Sequence, residues 1–158
     1  MKAASIVTLR KALAHLDRQA LQQLCLRLAR FKLENKELLT YLIFESEDEL
    51  QYVQGIKSQL DKLFDEINTN RYFFIKKSVR KILRRIRKFS RYSNAPETEV
   101  ELLLYFCCKM KTIRPSIFNN KTLTNLYNRQ VEASRKKMLK LHEDLQYDYQ
   151  LQIEKLIQ

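Results

Sequence analysis

Glycine and proline are almost missing from this chain of 158 residues, which contains one Gly, two Pro and no Trp. Sheet proteins need such residues in the turns between their strands, so a chain with so few of them is poorly suited to form a sheet. Leu, Lys, Glu and Gln are abundant instead. The composition therefore predicts an all-α protein.

The shortage of glycine also excludes two kinds of nucleotide site. The GxGxxG fingerprint and the phosphate-binding P-loop both need more than one glycine where the backbone approaches the ligand, and Gly55 stands alone. No uninterrupted apolar run reaches the length of about 18 residues that a membrane-spanning helix needs. His15 and His142 are isolated and have no HExxH or ExxH partner. We therefore predict a protein that is not an enzyme and holds no metal or cofactor.

Cysteine is scarce as well, with Cys25, Cys107 and Cys108 in the whole chain. An odd number without metal-ligand spacing argues against a secreted disulfide framework and against a zinc site. The neighbours Cys107 and Cys108 could form a redox pair, but they lie within the apolar run VELLLYFCCKM. This setting favours small buried hydrophobic residues in a reducing compartment, and we predict a cytoplasmic protein.

Apolar residues recur at helical spacing in six or seven segments, which we interpret as one domain over residues 1–158. The predicted helices are residues 5–16, one capped by Asp17, one capped by Asn35, one from a capping box at Ser46 to Ile67, then 71–92, 96–111 and 121–156. They could form a compact multihelical bundle or a short irregular α-superhelix. The helix over 96–111 is apolar on most sides and is predicted to be the buried centre. Gly55, inside the fourth helix, suggests a neighbouring helix that crosses closely.

The last predicted helix, over residues 121–156, would be about 54 Å long, which exceeds a compact domain of this size. We expect it to bend, to break or to project. Its first half is basic and its second half is acidic. Such a helix could pair antiparallel with a second copy of the chain, giving a homodimer, or it could pack along its own domain.

Acidic residues are entirely absent between Arg71 and Tyr92, where the sequence is RYFFIKKSVRKILRRIRKFSRY. This segment holds ten Lys or Arg, and since the net charge of the chain is +12, all other residues together contribute only +2. Its apolar residues form a narrow stripe on one side of a helix, so the cations must face outward. We predict that eight of these cations bind a polyanion: Lys76, Lys77, Arg80, Lys81, Arg84, Arg85, Arg87 and Lys88.

Three partners compete for this charge. Nine acids between Glu34 and Glu66 could neutralise it within the chain. RNA or DNA could bind along the helix, with Tyr72, Phe74 or Tyr92 stacking on unpaired bases. No RRM, KH, zinc-finger or helix-turn-helix signature is present, so such binding would be weakly sequence-selective. An acidic protein or an anionic membrane surface is the third option, although the narrow stripe suits a protein core better than lipid.

Three stretches of the chain resemble a family of uncharacterised small all-helical bacterial proteins, a domain of unknown function. They are LRKALAHLDRQALQQLCLRL near the start, the basic VRKILRRIRKF, and the PETEVELLLYF that follows it. The resemblance implies a bacterial, cytoplasmic, all-α protein. It implies no activity and no residue roles. The function predicted from the residues is a binding or scaffold domain, and the alternative is self-association through residues 121–156.

Overall fold

Eight α-helices make up most of the computed structural model, which describes residues 1–157. They are α1 (Ile6–Leu13), α2 (Arg18–Phe31), α3 (Leu33–Thr40), α4 (Glu49–Asp65), α5 (Tyr72–Ser93), α6 (Pro96–Thr112), α7 (Lys121–Met138) and α8 (Glu143–Ile157). A π-helical turn precedes α4 and a short 3-10 turn precedes α7. No strand occurs in the described range. The all-α prediction is confirmed, but six or seven helices was one or two too few.

The chain divides into two compact units, Met1–Phe44 (unit 1) and the residues from Glu45 onward (unit 2). Helices α1 to α3 belong to unit 1, and α4 to α8 belong to unit 2. Each unit packs chiefly within itself, and the assignment of both to a single domain stays a prediction. The basic helix lies entirely within unit 2.

Unit 1 has almost no core. Its helices α2 and α3 pack on each other, yet none of the residues in α1, α2 or α3 is buried. Asp17 caps α2 as predicted, because its side chain accepts a hydrogen bond from the Ala20 amide at 2.7 Å. Asn35 does not cap α3, which begins two residues earlier, and its side chain instead donates to the Leu28 carbonyl at 2.8 Å.

Unit 2 is organised around α6, which packs against α4, α5, α7 and α8. Proline at the first position of α6 suits a helix start, because its missing N–H would have no partner there. Leu102, Leu104, Phe106 and Met110 are at most 1% exposed. Their side chains point in several directions around the helix, so α6 contacts neighbours on several sides. The prediction that this helix is the buried centre is confirmed.

Helix α5 spans nearly the predicted range and uses its apolar stripe to pack on α4 and α6. Ile75, Val79 and Ile86 are fully buried. The Tyr52 hydroxyl on α4 donates to the Phe89 carbonyl on α5 at 3.0 Å. At the C-terminal end, Asn94 adopts the left-handed conformation with φ of 55° that often ends a helix. The position of α5 is therefore set by one face only, and its cations lie on the rest of its circumference.

Two predictions about α4 were wrong. Its N-cap is Asp48 rather than Ser46, since the Asp48 side chain accepts from the Gln51 amide at 2.9 Å. Gly55 is exposed, and a Cβ built on it would meet no atom within 4 Å beyond its chain neighbours and the backbone of its own helix. No helix among residues 1–157 therefore crosses closely there. The glycine is a tolerated weak point in the helix rather than a contact.

The long C-terminal helix predicted over residues 121–156 is broken into α7 and α8 between Leu139 and His142. The Gln146 side chain donates to the Leu141 carbonyl at 2.8 Å, and the Tyr127 hydroxyl donates to the Leu156 carbonyl at 2.7 Å. Helix α8 thus folds back and packs on α6 and α7. Arg135, Lys136 and Lys137 of the basic half lie in the last turn of α7, and Glu143 and Asp144 of the acidic half lie in the first turn of α8. Both charges suit the helix dipole, which is why the pattern marks two helix ends.

Candidate polyanion-binding groove

An open groove with a volume of about 1090 Å³ runs between α5 and α7, which both pack on α6. Leu83, Leu126 and Ala133 contribute apolar surface to it. Cations of α5 form one wall of the groove. They are Lys76, Lys77, Arg80, Arg84 and Arg87, five of the eight residues predicted from the sequence. The structure therefore places most of the predicted site in one concave surface.

Helix α7 supplies the other wall, with Arg129 and Lys136. We refer to these two residues and the five on α5 as the groove cations. Glu132 is the one carboxylate that lines the groove, and it lies 3.3 Å from Arg135 Nη1 on its own helix. The groove is therefore strongly positive, with seven cationic side chains against one carboxylate.

Three of the predicted residues do not line the groove. Lys81, Arg85 and Lys88 lie on another side of α5, because each residue of an α-helix turns about 100° from the one before it. Lys81 and Arg85 are exposed, while Lys88 is half-buried with its Nζ 5.1 Å from the centre of the Phe89 ring. The eight residues thus divide into a groove set and an off-groove set on the same helix.

None of the groove cations forms an ion pair with a carboxylate of residues 45–157. Arg87 Nη2 makes a long hydrogen bond of 3.5 Å to the buried amide oxygen of Gln130, and Arg129 Nε donates to the Asn125 carbonyl at 3.2 Å. These neutral acceptors orient the guanidinium groups without cancelling their charge. The groove therefore keeps its positive potential.

Two acids of α4 are engaged by residues outside the groove. Asp61 accepts hydrogen bonds from Lys109 and Tyr105 of α6, and the Lys109 bond is the main reason that the pKa of Asp61 is lowered. Glu49 accepts from the hydroxyl groups of Ser93 and Thr98. Acids between residues 34 and 66 were one predicted partner of the basic helix. Within unit 2, none of them forms an ion pair with a groove cation.

Some cations outside the groove do have carboxylate partners. Lys137 Nζ lies 2.6 Å from Glu99 Oε2, and Lys57 Nζ of α4 lies 2.6 Å from Glu101 Oε1. Glu99 and Glu101 are both on α6. These two ion pairs join other helix contacts and do not include the groove cations.

Sequence reasoning missed three residues of the groove: Arg129, Lys136 and Phe73. The two cations were grouped with the basic half of the helix predicted over residues 121–156. A spacing of seven residues places them on one face of α7, and this signal could have indicated a shared surface. It could not have indicated that α5 lies opposite.

Groups that could support catalysis or hold a metal are sparse. In residues 1–157, no cluster of three His, Cys, Asp or Glu side chains suited to a metal occurs. Cys107 is buried, and burial raises the pKa of its thiol to about 12. A thiol in this state is a poor nucleophile. His142 Nδ1 lies 3.4 Å from Asp144 Oδ2, and both side chains are largely exposed.

Comparison with protein family models, with curated proteins and with solved structures found no match to this chain. The resemblance to a family of small bacterial helical proteins therefore stays a prediction. In the part of the chain that the structure describes, no helix is both long enough and apolar enough to cross a lipid bilayer.

Proposed function

We propose that this protein binds nucleic acid, with little sequence selectivity, through the groove between α5 and α7. The observation that carries the proposal is the convergence of the groove cations from two helices onto one concave surface that holds one carboxylate. Like charges held this close repel one another and reduce stability. A polyanion in the groove would relieve that repulsion and release its own counterions.

The spacing of the cations along α5 supports a chain-like ligand rather than a single small anion. Lys76, Arg80 and Arg84 are each four residues apart and therefore rise along the helix in steps of about 6 Å. Arg129 and Lys136 extend the same positive surface along α7. A ligand with regularly repeated negative charges can contact several of these residues at once, and a phosphodiester backbone has such charges.

Self-association through residues 121–156 has less support. Pairing was expected to bring the basic half of one long helix against the acidic half of a second copy, but residues 121–156 form two helices. The side chains of Tyr127, Val131, Met138 and Ile153 are at most 6% exposed within a single chain. An apolar side chain that is already packed cannot drive dimer formation. Homodimer formation stays an untested prediction that no further observation favours.

The proposal can be tested by fluorescence anisotropy with labelled RNA and DNA oligonucleotides. The test variant is Arg80→Glu with Arg84→Glu, and the matched control is Lys81→Glu with Arg85→Glu. Both double variants change the net charge by the same amount on exposed positions of one helix, but only the first pair lines the groove. We expect the groove variant to weaken binding at least about tenfold more than the control, because it reverses charges that contact phosphates.

The salt dependence gives a second readout. Binding through several phosphates should weaken steeply between about 50 mM and 200 mM salt, with a log–log slope near −0.7 to −0.9 per phosphate contacted. No binding of either nucleic acid at the lower salt concentration would overturn the proposal, even if the protein binds an acidic polypeptide. Equal losses in the two double variants would overturn the assignment to the groove.

A further inference from the structure

One aromatic ring stands among the groove cations. Phe73 lies in the first turn of α5, is 65% exposed and lines the groove together with Lys76 and Lys77. A phenylalanine that leaves most of its ring in water forgoes the free energy that burial would provide. Because the ring lies next to cations, it could bind a ligand that has both a flat apolar face and a negatively charged group.

The other aromatic residues near the ends of α5 are less suited to this role. The Tyr72 hydroxyl donates to the Ser116 carbonyl at 2.9 Å, and the ring is half-buried. Tyr92 is half-buried with its ring edge-on to Phe89, and Phe74 does not line the groove. Stacking on Tyr72, Phe74 or Tyr92 was the expectation from the sequence, and the geometry favours Phe73 instead.

The ring of Phe73 also packs against a second aromatic ring. Its centre lies 5.5 Å from that of Phe74, and the two planes meet at 78°, which is the favourable edge-to-face arrangement. A ring that is positioned before binding loses less conformational entropy when a ligand stacks on it. Phe73 thus combines exposure with support from a neighbour.

Resting on the proposed function, we infer that the ligand of the groove is single-stranded nucleic acid, with one unpaired base stacked on Phe73 and the adjoining phosphates on the groove cations. A single strand exposes both the flat faces of its bases and its phosphates. The groove offers the exposed ring of Phe73 beside its cationic walls. In a duplex the base faces are stacked on each other, so a duplex can use the cations alone.

Apart from the groove cations, the polar side chains that line the groove are Thr122, Gln130 and Glu132. The amide of Gln130 is occupied, since its oxygen accepts from Arg87 and its nitrogen donates to the Leu126 carbonyl at 3.3 Å. Stacking and phosphate contacts both tolerate any base. Selectivity is therefore expected for single strands over duplexes rather than for one sequence over another.

The test compares Phe73→Leu with Phe118→Leu in the full chain. Phe118 is 47% exposed, packs edge-on against Tyr127, and lies outside the groove, so it controls for the loss of an exposed, supported ring. We expect Phe73→Leu to weaken the binding of a single-stranded oligonucleotide about 5- to 100-fold and to change duplex binding less than about twofold, because stacking contributes only to the single strand. Phe118→Leu should change neither.

The absence of tryptophan from the chain provides an independent readout. Phe73→Trp introduces a single tryptophan into the groove, and its fluorescence should be quenched when a base stacks on it. The same substitution at Phe118 should show no quenching. This measurement does not depend on how strongly the variant binds, provided that it is made at saturation.

Two outcomes separate this inference from the proposed function. If Phe73→Leu leaves single-strand binding unchanged, or weakens duplex binding equally, while Arg80→Glu with Arg84→Glu abolishes binding, the stacking inference is wrong and the proposed function stands. If the wild-type protein binds no nucleic acid, both are wrong. Circular dichroism and thermal melting of each variant would confirm that the fold is retained.

Discussion

Asp61 Oδ1 lies 2.6 Å from Lys109 Nζ, which pairs an acid of α4 with a cation of α6 rather than with one of α5. Tyr105 of α6 donates to the same carboxylate oxygen. The pair shows how unit 2 distributes its charges, because an acid that could have neutralised the basic helix α5 is paired with a cation of α6 instead. It is also a place where stability should depend on pH.

We expect Asp61→Asn to lower the free energy of unfolding near neutral pH by less than about 1 kcal/mol, because the two side chains are 40% and 31% exposed and solvent screens the pair. The pKa of Asp61 is lowered from its ordinary value of 3.8, chiefly by the Lys109 hydrogen bond. Its contribution is therefore present above pH 3.8 and is lost as the pH falls through the lower pKa of the folded protein. Urea unfolding across this pH range measures it.

The contribution of the same pair to stability is also lost at high pH. The pKa of Lys109 is raised from 10.5, chiefly by its hydrogen bond to Asp61, so its contribution is present below that value and is lost as the pH rises through the higher pKa of the folded protein. Asp65→Asn is the matched control, since Asp65 is exposed on the same helix four residues away. If the free energies of unfolding of wild type and Asp61→Asn differed by the same amount at every pH, the prediction would be contradicted.

Gly55→Ala should stabilise the protein by about 0.5–1 kcal/mol. Gly55 lies inside α4 with a helical backbone, and the added methyl group meets no atom within 4 Å beyond its chain neighbours and the backbone of α4. Alanine loses less conformational entropy than glycine when the helix forms. An upward shift of the melting temperature in thermal unfolding would support this, and a downward shift would indicate that something contacts this position.

Cysteine alkylation should distinguish the buried thiol from the exposed ones. Cys107 is buried with a pKa raised to about 12, whereas Cys25 and Cys108 are exposed. Since the thiolate is the reactive form, iodoacetamide at about pH 8 should modify Cys107 only after denaturation. Peptide mass spectrometry identifies the modified sites. Modification of Cys107 in the native protein at the rate of Cys25 would show that α6 is not packed as described.

Hydrogen exchange should be much faster in α1, α2 and α3 than in α6. No residue of the first three helices is buried, whereas α6 has eight buried residues among its 17. Local opening is easy where few apolar contacts have to be broken. Exchange measured by mass spectrometry on the full chain tests this directly. Protection of α1 to α3 equal to that of α6 would mean that their exposed apolar side chains are covered in solution.

Local patterns predicted the elements of unit 2 well. The apolar stripe of α5, the Pro96 start of α6 and the apolar character of α6 each depend on residues within a few positions of one another. Helical periodicity is a local property, and a sequence records it directly. The groove cations of α5 were predicted for the same reason, because a stripe that is buried on one side defines where the charges must lie.

The place of the break between α7 and α8 was not predicted, although a bend or a break was among the expectations and the charges that flank it were noticed. No glycine or proline marks the break between Leu139 and His142. The basic residues before it and the acidic residues after it were interpreted as two halves of one helix, and the dipole of two separate helices explains them better. Hydrogen bonds such as that from Tyr127 to Leu156 become visible only once α8 has folded back.

The sequence by itself determined that this protein is helical and that one long helix presents its cations on the side away from its apolar stripe. Tertiary structure alone decided which of those cations share a groove with Arg129 and Lys136, and which aromatic ring stands beside them. The physical reason is that helix faces follow from neighbours in the chain, whereas the groove depends on how α5 and α7, distant in sequence, both pack on α6.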